Sequence, residues 1–337
     1  MTMLFCDSFD HYTTIAQKWT TTGPPTKTIT SGSTVIFGFA FRRVSAFHAT
    51  AAQVLCSLRE GATDHIYIET VPGTATIRVM RGGAVALVTL STTFTTNVWY
   101  YVEVKANIHD TTGSIATRVN GADNGSFAGD TRNAGTGIVD TLQIGTTAFS
   151  PSDDMTIVAA ATRFGAAGLR YNANDYATDM HFDDLYVCNS AGTVNNDFLG
   201  DVRIEALYPN GVGNYAQWTP SAGANWQNVD ETTPNDETDY NISGTVNQID
   251  TYAFTNLTST AGSVAAVQAN LHARKDDAGT RQIAPQYRSA AVDAVGATKT
   301  LSTSWTQYND VRETDPSAAA WTIASVNAAE FGAKVIA

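Results

Sequence analysis

From Val35 to Phe41 the chain reads Val-Ile-Phe-Gly-Phe-Ala-Phe, with Val35, Phe37, Phe39 and Phe41 on one face at period two. Ile36, Gly38 and Ala40 fall on the other face, so the run predicts a strand covered on both sides. Further strand-like runs follow at 53–58, 65–71, 75–81, 85–90, 98–106 and 115–119. The turn signals Glu60-Gly61, Pro72-Gly73, Gly82-Gly83 and Asn120-Gly121 separate them. Many short strands with no amphipathic helix between them predict a sandwich and exclude a βαβ alternation. The stretch 121–137, rich in Gly, Asn and Asp, predicts a long loop before a strand at 141–144. A second irregular region is expected over 150–180. Long loops inside compact domains are often functional, so partner contacts are expected in both.

The run His181-Phe-Asp-Asp-Leu-Tyr-Val-Cys188 predicts a strand that closes one domain, and Phe198-Leu-Gly-Asp-Val-Arg-Ile-Glu205 a strand that opens another. The expected organisation is a first domain over 1–192, a linker over 193–199 and a second domain over 200–337. In the second domain Val202, Ile204, Ala206 and Tyr208 alternate with Arg203, Glu205 and Leu207, and a polar excursion follows over 209–239. Later strands are expected at 249–254, 263–273, 282–289, 299–311 and 321–325. Of these, 263–273 has one clearly apolar face, carried by Ala265, Val267, Ala269, Leu271 and Ala273. Asp315-Pro316 predicts a turn before Trp321, and 327–332 a helical turn. No repeat of solenoid or propeller length is present.

Only 15% of the 337 residues are charged, against roughly 25% in an average soluble domain, which suits a chain of strands and polar turns. The net charge of -12 and a pI near 4.8 argue against a nucleic-acid surface, which needs clustered cations. Arg42-Arg43 ends a strand-like run and reads as a solvated strand end. No apolar run is long enough for a transmembrane helix, and no basic-then-apolar leader is evident, so neither membrane insertion nor secretion is expected. Cys6, Cys56 and Cys188 match no zinc spacing and are expected as buried free thiols. A Cys6–Cys188 bridge is the alternative if the domain's first and last strands adjoin.

Several short strings carry a resemblance. Asp7-Ser-Phe-Asp-His-Tyr12, Trp99-Tyr100, Asp183-Asp184-Leu-Tyr-Val and Gly200-Asp201-Val-Arg-Ile are four of them. Tyr208-Pro-Asn-Gly211, Asp315-Pro316, Trp321-Thr322 and Phe331-Gly332 complete the set. Together they resemble a group of tailed-bacteriophage virion structural proteins. The resemblance implies an all-β fold: an N-terminal concanavalin A-like (laminin G-like) jelly-roll sandwich, then a second, smaller jelly-roll-like β-sandwich. It also implies a non-enzymatic protein on the particle exterior, as head decoration, fibre or tail-associated component. Its partners would be other capsid or tail proteins and further copies of itself, with a homotrimer expected from virion symmetry. No heptad or collagen-like stalk is present, which favours compact decoration over a long shaft.

Some sandwiches of this fold hydrolyse glycans with a Glu-x-Asp-x-(x)-Glu string, whose alternate acids share a strand face. No such string occurs: Glu103 stands alone, and Glu237-Thr-Asp239 lacks a third acid. No catalytic residue is therefore assigned, and glycan hydrolysis is the weakest of the functional readings. The pairs Asp153-Asp154, Asp183-Asp184 and Asp276-Asp277 would point to opposite faces of a regular strand. Asp7 and Asp183 are candidate Ca²⁺ ligands if the domain ends adjoin. No Gly-x-Ser-x-Gly elbow, Walker A or Gly-x-Gly-x-x-Gly motif occurs, so no nucleotide cofactor is expected. Trp218, Trp226, Tyr215 and Tyr240, with Tyr208, gather in and around the polar excursion, where flat rings beside Asn and Asp suit sugar stacking. They make a host-surface carbohydrate-binding adhesin the alternative function. Trp99, Trp305 and Trp321 are expected in the core.

Overall fold

The computed structural model describes residues 3–12, 14–21, 24–145, 154–164, 167–173 and 178–337. The chain divides into two compact units, Met1–Ile204 and Glu205–Ala337.

The first unit runs β1 (Met3–Asp7), β2 (Thr26–Gly32), β3 (Thr34–Arg43), β4 (Val54–Glu60), β5 (Thr63–Thr70), β6 (Ile77–Arg81) and β7 (Val85–Thr89). It continues with β8 (Tyr100–Asn107), β9 (Gly113–Val119), β10 (Ala122–Gly129), β11 (Val139–Ile144), β12 (Asp154–Val158), β13 (Gly168–Ala173) and β14 (Thr178–Asn189). One sheet has the order β10-β9-β8-β3-β14-β13-β12, with β1 also on β14, and the other β2-β11-β4-β5-β6-β7. This is a two-sheet antiparallel sandwich of the concanavalin A-like jelly-roll kind. Phe37, Phe39 and Phe41 of β3 enter its core with Leu55, Leu58, Ile66, Ile68, Val102 and Val104.

The opposite face of β3 is also buried, as its double apolar pattern predicts. Tyr101 and Tyr186 stack there at 6.4 Å and 11°, and Gly38 makes the room. A Cβ at Gly38 would sit 2.5 Å from Tyr186 Cε1 and 2.9 Å from Tyr101 Cε1. Residues 159–164 and 197–204 lie over this outer face. The Leu199 amide donates to Tyr186 Oη (3.2 Å), the Gly200 amide to Glu103 (2.8 Å) and the Ile204 amide to Asp184 Oδ1 (2.8 Å). Residues 202–208 are therefore not the first strand of the second domain. Their alternation is local: no strand forms over them, and the Ile204 amide is spent on the first unit.

Three other expectations change. The Gly-rich loop at 121–137 contains β10, a mostly exposed edge strand that has little need of apolar alternation. The irregular region holds β12 and β13, the latter anchored by buried Leu169 and Tyr171. Residues 146–153 and 174–177 of that region, including Asp153, lie outside the described residues. No disulfide joins the three cysteines: β1 and β14 do adjoin, but Met3 stands opposite Cys188, and Cys6 opposite Tyr186. Burial pushes the Cys6 thiol up to about 11.

The second unit contains β15 (Pro209–Ala216), β16 (Thr219–Pro220), β17 (Asn241–Ile242), β18 (Ile249–Phe254), β19 (Val267–Ala273) and β20 (Gln282–Ser289). Then come β21 (Val292–Val295), β22 (Lys299–Thr300), β23 (Thr306–Arg312), α1 (Ile323–Asn327) and β24 (Glu330–Val335). Its main sheet has the order β15-β18-β24-β20-β21, and β19 pairs separately with β23. Tyr287, Trp321, Val326, Ala329 and Phe331 form the core, and Val267 and Ala269 of β19 pack against them. This is a second, smaller β-sandwich.

The expected strand at 321–325 is instead the entry to α1. Thr322 caps it, its Oγ1 accepting from the Ser325 amide at 3.0 Å. Of the expected helical turn at 327–332, Asn327 ends α1 and residues 330–332 already belong to β24, whose Phe331 fills the core between β18 and β20.

Candidate functional site

Four acidic residues of the first unit, Asp7, Glu103, Asp183 and Asp184, are sealed. Asp7 accepts from the Phe9 amide (2.9 Å), Tyr12 Oη (2.8 Å) and Trp19 Nε1 (2.8 Å), with Lys18 Nζ at 3.2 Å. Burial would raise its pKa, but Lys18, His11 and these hydrogen bonds hold the carboxyl below its ordinary value. Asp7 stands opposite Leu185 on the core side of the sheet, and Asp183 stands opposite Ala40 on the other side. The two candidate Ca²⁺ ligands do not share a site, and no group of three His, Cys, Asp or Glu side chains suited to a metal occurs among the described residues.

Asp183 and Asp184 do not point to opposite faces. Asp184 has φ +50°, and a bulge between Asp183 and Tyr186 breaks the alternation. Asp183 accepts from the Arg163 amide (2.5 Å) and the Asp184 amide (2.9 Å), while the Arg163 guanidinium lies 3.8 Å from Asp184 and pairs with Asp201. Burial, and then the Asp184 charge, pushes Asp183 up to about 8; burial pushes Asp184 up to about 7. Glu103 accepts from Tyr186 Oη at 2.6 Å. Such perturbed acids can mark an active site. Here Asp183 and Asp184 are 1% exposed and Glu103 0%, so substrate has no access to them in this fold. An open cleft of about 410 Å³ nearby is lined by Lys105, Arg118, Asp123, Asp197 and Phe198. Its cations are already paired, Lys105 with Asp197 (3.2 Å) and Arg118 with Asp123 (2.9 Å).

The second unit presents a different surface. The register of β19 on β23 places Asn270 opposite Asn309 and His272 opposite Gln307. Because Val267 and Ala269 face the core, the alternate positions Gln268, Asn270, His272 and Arg274 share the outward face. Trp305 joins this face. The His272 ring stacks on the indole at 5.3 Å and 4°, and the Arg274 guanidinium lies over it at 5.4 Å. The loop 229–240 supplies acids: Glu237 accepts from Trp305 Nε1 (3.1 Å) and pairs with Arg274 (2.9 Å), and Asp236 meets His272 Nε2 at 2.7 Å. Asn270 Oδ1 accepts from Gln268 at 3.1 Å and from Asn309 at 3.5 Å. His272 Nδ1, Arg274 Nε and Gln307 Oε1 are buried without a hydrogen-bond partner.

Trp305 was expected in the core and is half-buried on this outer face instead. Trp99 is also half-buried, under the Arg42 guanidinium at 5.0 Å, whereas Trp321 is core as expected. Trp218, Trp226 and Tyr240 belong to one substructure built on Asp250. Asn225 Nδ2 bonds Asp250 and the Trp218 carbonyl, Asn241 bonds the Asn225 carbonyl, and Ser221 pairs with Tyr240. Tyr215 departs from that group, its hydroxyl donating to Asp293 at 2.8 Å beneath Arg288. Tyr208 instead begins the approach to β15. The loop 229–240 thus joins the Trp218–Trp226–Tyr240 substructure to the Trp305 face.

The sequence matches no family model and no curated protein. Among solved structures the chain is similar to a sialidase, at 11% identity over 48% of this chain and 14% of that one, with a TM-score of 0.32. It is also similar to the alginate lyase Aly36B (10% identity, 48% and 72% covered, TM-score 0.29). A third likeness is to the carbohydrate-binding module CBM66 from Bacillus subtilis (9% identity, 53% and 96% covered, TM-score 0.30). The chain spans only about one seventh of the sialidase. These neighbours include both enzymes and a binding module.

Proposed function

We propose that this chain is a non-catalytic glycan-binding protein carried on the exterior of a tailed-phage particle, as head decoration, fibre or tail-associated component. The observation that supports glycan binding is the outward face of β19 and β23, where amides, a guanidinium and an indole stand in fixed register. Such a mixture hydrogen-bonds hydroxyls and packs against the apolar patches of a sugar ring. The sealing of the perturbed acids Asp183 and Asp184, and of Glu103, favours binding over hydrolysis. The particle assignment, and assembly as a trimer, rest on the strings from Asp7 to Gly332 that resemble virion proteins.

Cryo-electron microscopy of intact particles together with a glycan array tests the two halves separately. Ordered density at capsid or tail symmetry positions, with glycan binding by the purified protein, is the expected result. Binding without density on the particle would move the assignment to a free adhesin. Release of reducing ends, abolished by a single carboxylate substitution, would overturn the non-catalytic reading.

A further inference from the structure

We infer that the outward face of β19 and β23 takes a neutral, extended oligosaccharide laid along the strands, and discriminates against uronate-rich or sialylated chains. This rests on the glycan-binding reading above and adds the chemical class of the ligand.

Charge gives the first argument. Arg274 is the one cation among the residues of this face described above, and its guanidinium is taken by Glu237 at 2.9 Å. Asp236 and Glu237 remain at the rim with half or more of their side-chain surface in water (53% and 61%), so they repel an approaching carboxylate or sulfate. The whole segment from Glu205 to Ala337 carries twice as many acidic as basic residues, which extends the same repulsion beyond contact distance. A neutral ring bears no such penalty.

Hydrogen-bonding capacity gives the second. Amides both donate and accept, as hydroxyls do, and Asn270, Asn309 and Gln307 put three of them on adjacent rungs of the ladder. Successive outward residues are about 6.8 Å apart, so the face from Gln268 to Arg274 runs for about 20 Å, longer than one sugar ring. Asn270 is exposed, so its amide N–H and C=O groups offer a mixed donor and acceptor set at the centre of this face. A hydroxyl can serve both kinds of group, whereas a carboxylate can only accept.

The experiment is isothermal titration of the full chain with neutral gluco-, galacto- and manno-oligosaccharides, and with uronate and sialylated oligosaccharides of matched length, at low and high salt. The expected result is binding to a neutral series with little salt dependence. Asn270→Ala and Asn309→Ala should each weaken it about fivefold, and Trp305→Ala further, with unchanged thermal unfolding. Binding confined to the anionic series and weakened by salt would overturn the ligand class and leave the glycan reading standing. Unchanged neutral binding in all three variants would overturn the location. No binding to any glycan would overturn both the inference and the reading beneath it. If an alanine variant unfolds, Asn270→Asp replaces it: added charge with preserved shape should still weaken neutral binding through the lost donor.

Discussion

The His272 imidazole lies parallel to the Trp305 indole, 5.3 Å away and tilted by 4°, and Glu237 joins the indole nitrogen to Arg274. Each member of the stack is thereby held by another, so the face is ordered before any ligand arrives. Preorganisation of this kind lowers the entropy lost on binding.

Trp305→Ala should reduce glycan affinity about tenfold or more and leave the fold intact, because the ring is outside the core. Trp321→Ala should do the reverse. Trp321 is 2% exposed, its indole nitrogen donates to the Arg312 carbonyl at 3.2 Å, and truncation should cost about 3–5 kcal/mol. Denaturant titration and calorimetric binding on the two variants, side by side, check the contrast.

Gly38→Ala should destabilise the first unit by about 1–3 kcal/mol, since the new methyl must push Tyr186 or Tyr101 out of their stack. Urea unfolding followed by tyrosine fluorescence reads it. An unchanged midpoint would show that the two rings yield without strain.

The Asp183–Asp184 pair should make the first unit lose stability as pH rises. Both pKa values are raised from 3.8, to about 8 and about 7, so the folded state retains protons that the unfolded chain releases. Their contribution is fully present below about pH 4 and falls away as pH climbs through 7 and 8. Asp183→Asn should flatten that slope in unfolding free energy measured from pH 5 to 9.

Glu60 should act in the opposite sense. The Thr136 hydroxyl (2.7 Å), with the Thr136 and Gly137 amides and His65, holds its pKa down to about 2 from 4.5. Its contribution is present above about pH 4.5 and lost as pH falls through 2. Glu60→Gln should speed amide hydrogen exchange at Thr136 and Gly137 at neutral pH, with the strands β4 and β5 still protected.

β3 was legible because both of its faces are buried, so that the side chains of both period-two sets had to be apolar or small. The same logic exposed the one-sided strand around Val267 and Leu271. It was silent on β10, where Ala122, Asp123 and Ser126 face water and set no pattern. It was misleading at 202–208, where alternating Val202 and Ile204 belong to a run tied down by Asp184 and Glu103. In the polar excursion Trp218, Trp226 and Tyr240 share a substructure, and Tyr215 lies apart from it. Trp305 was missed because its neighbours read as a strand, and a tryptophan beside a strand is usually core. Only the register that sets His272 against Gln307 shows which way its surroundings face. The visible clue was the polar set Gln268, Asn270, His272 and Arg274, which had to meet something other than a core.

The bonds that fasten residues 199–204 to Tyr186, Glu103, Arg163 and Asp184 also decide how the chain answers to tension. A pull applied at residue 205 meets the Ile204–Asp184 bond, inside β14, before it can travel along the chain to the end of that strand at Asn189. It must then break the Arg163–Asp201 pair and the Gly200 and Leu199 bonds in turn. The segment therefore works as a graded mechanical fuse, yielding stepwise while the two sheets behind it remain whole.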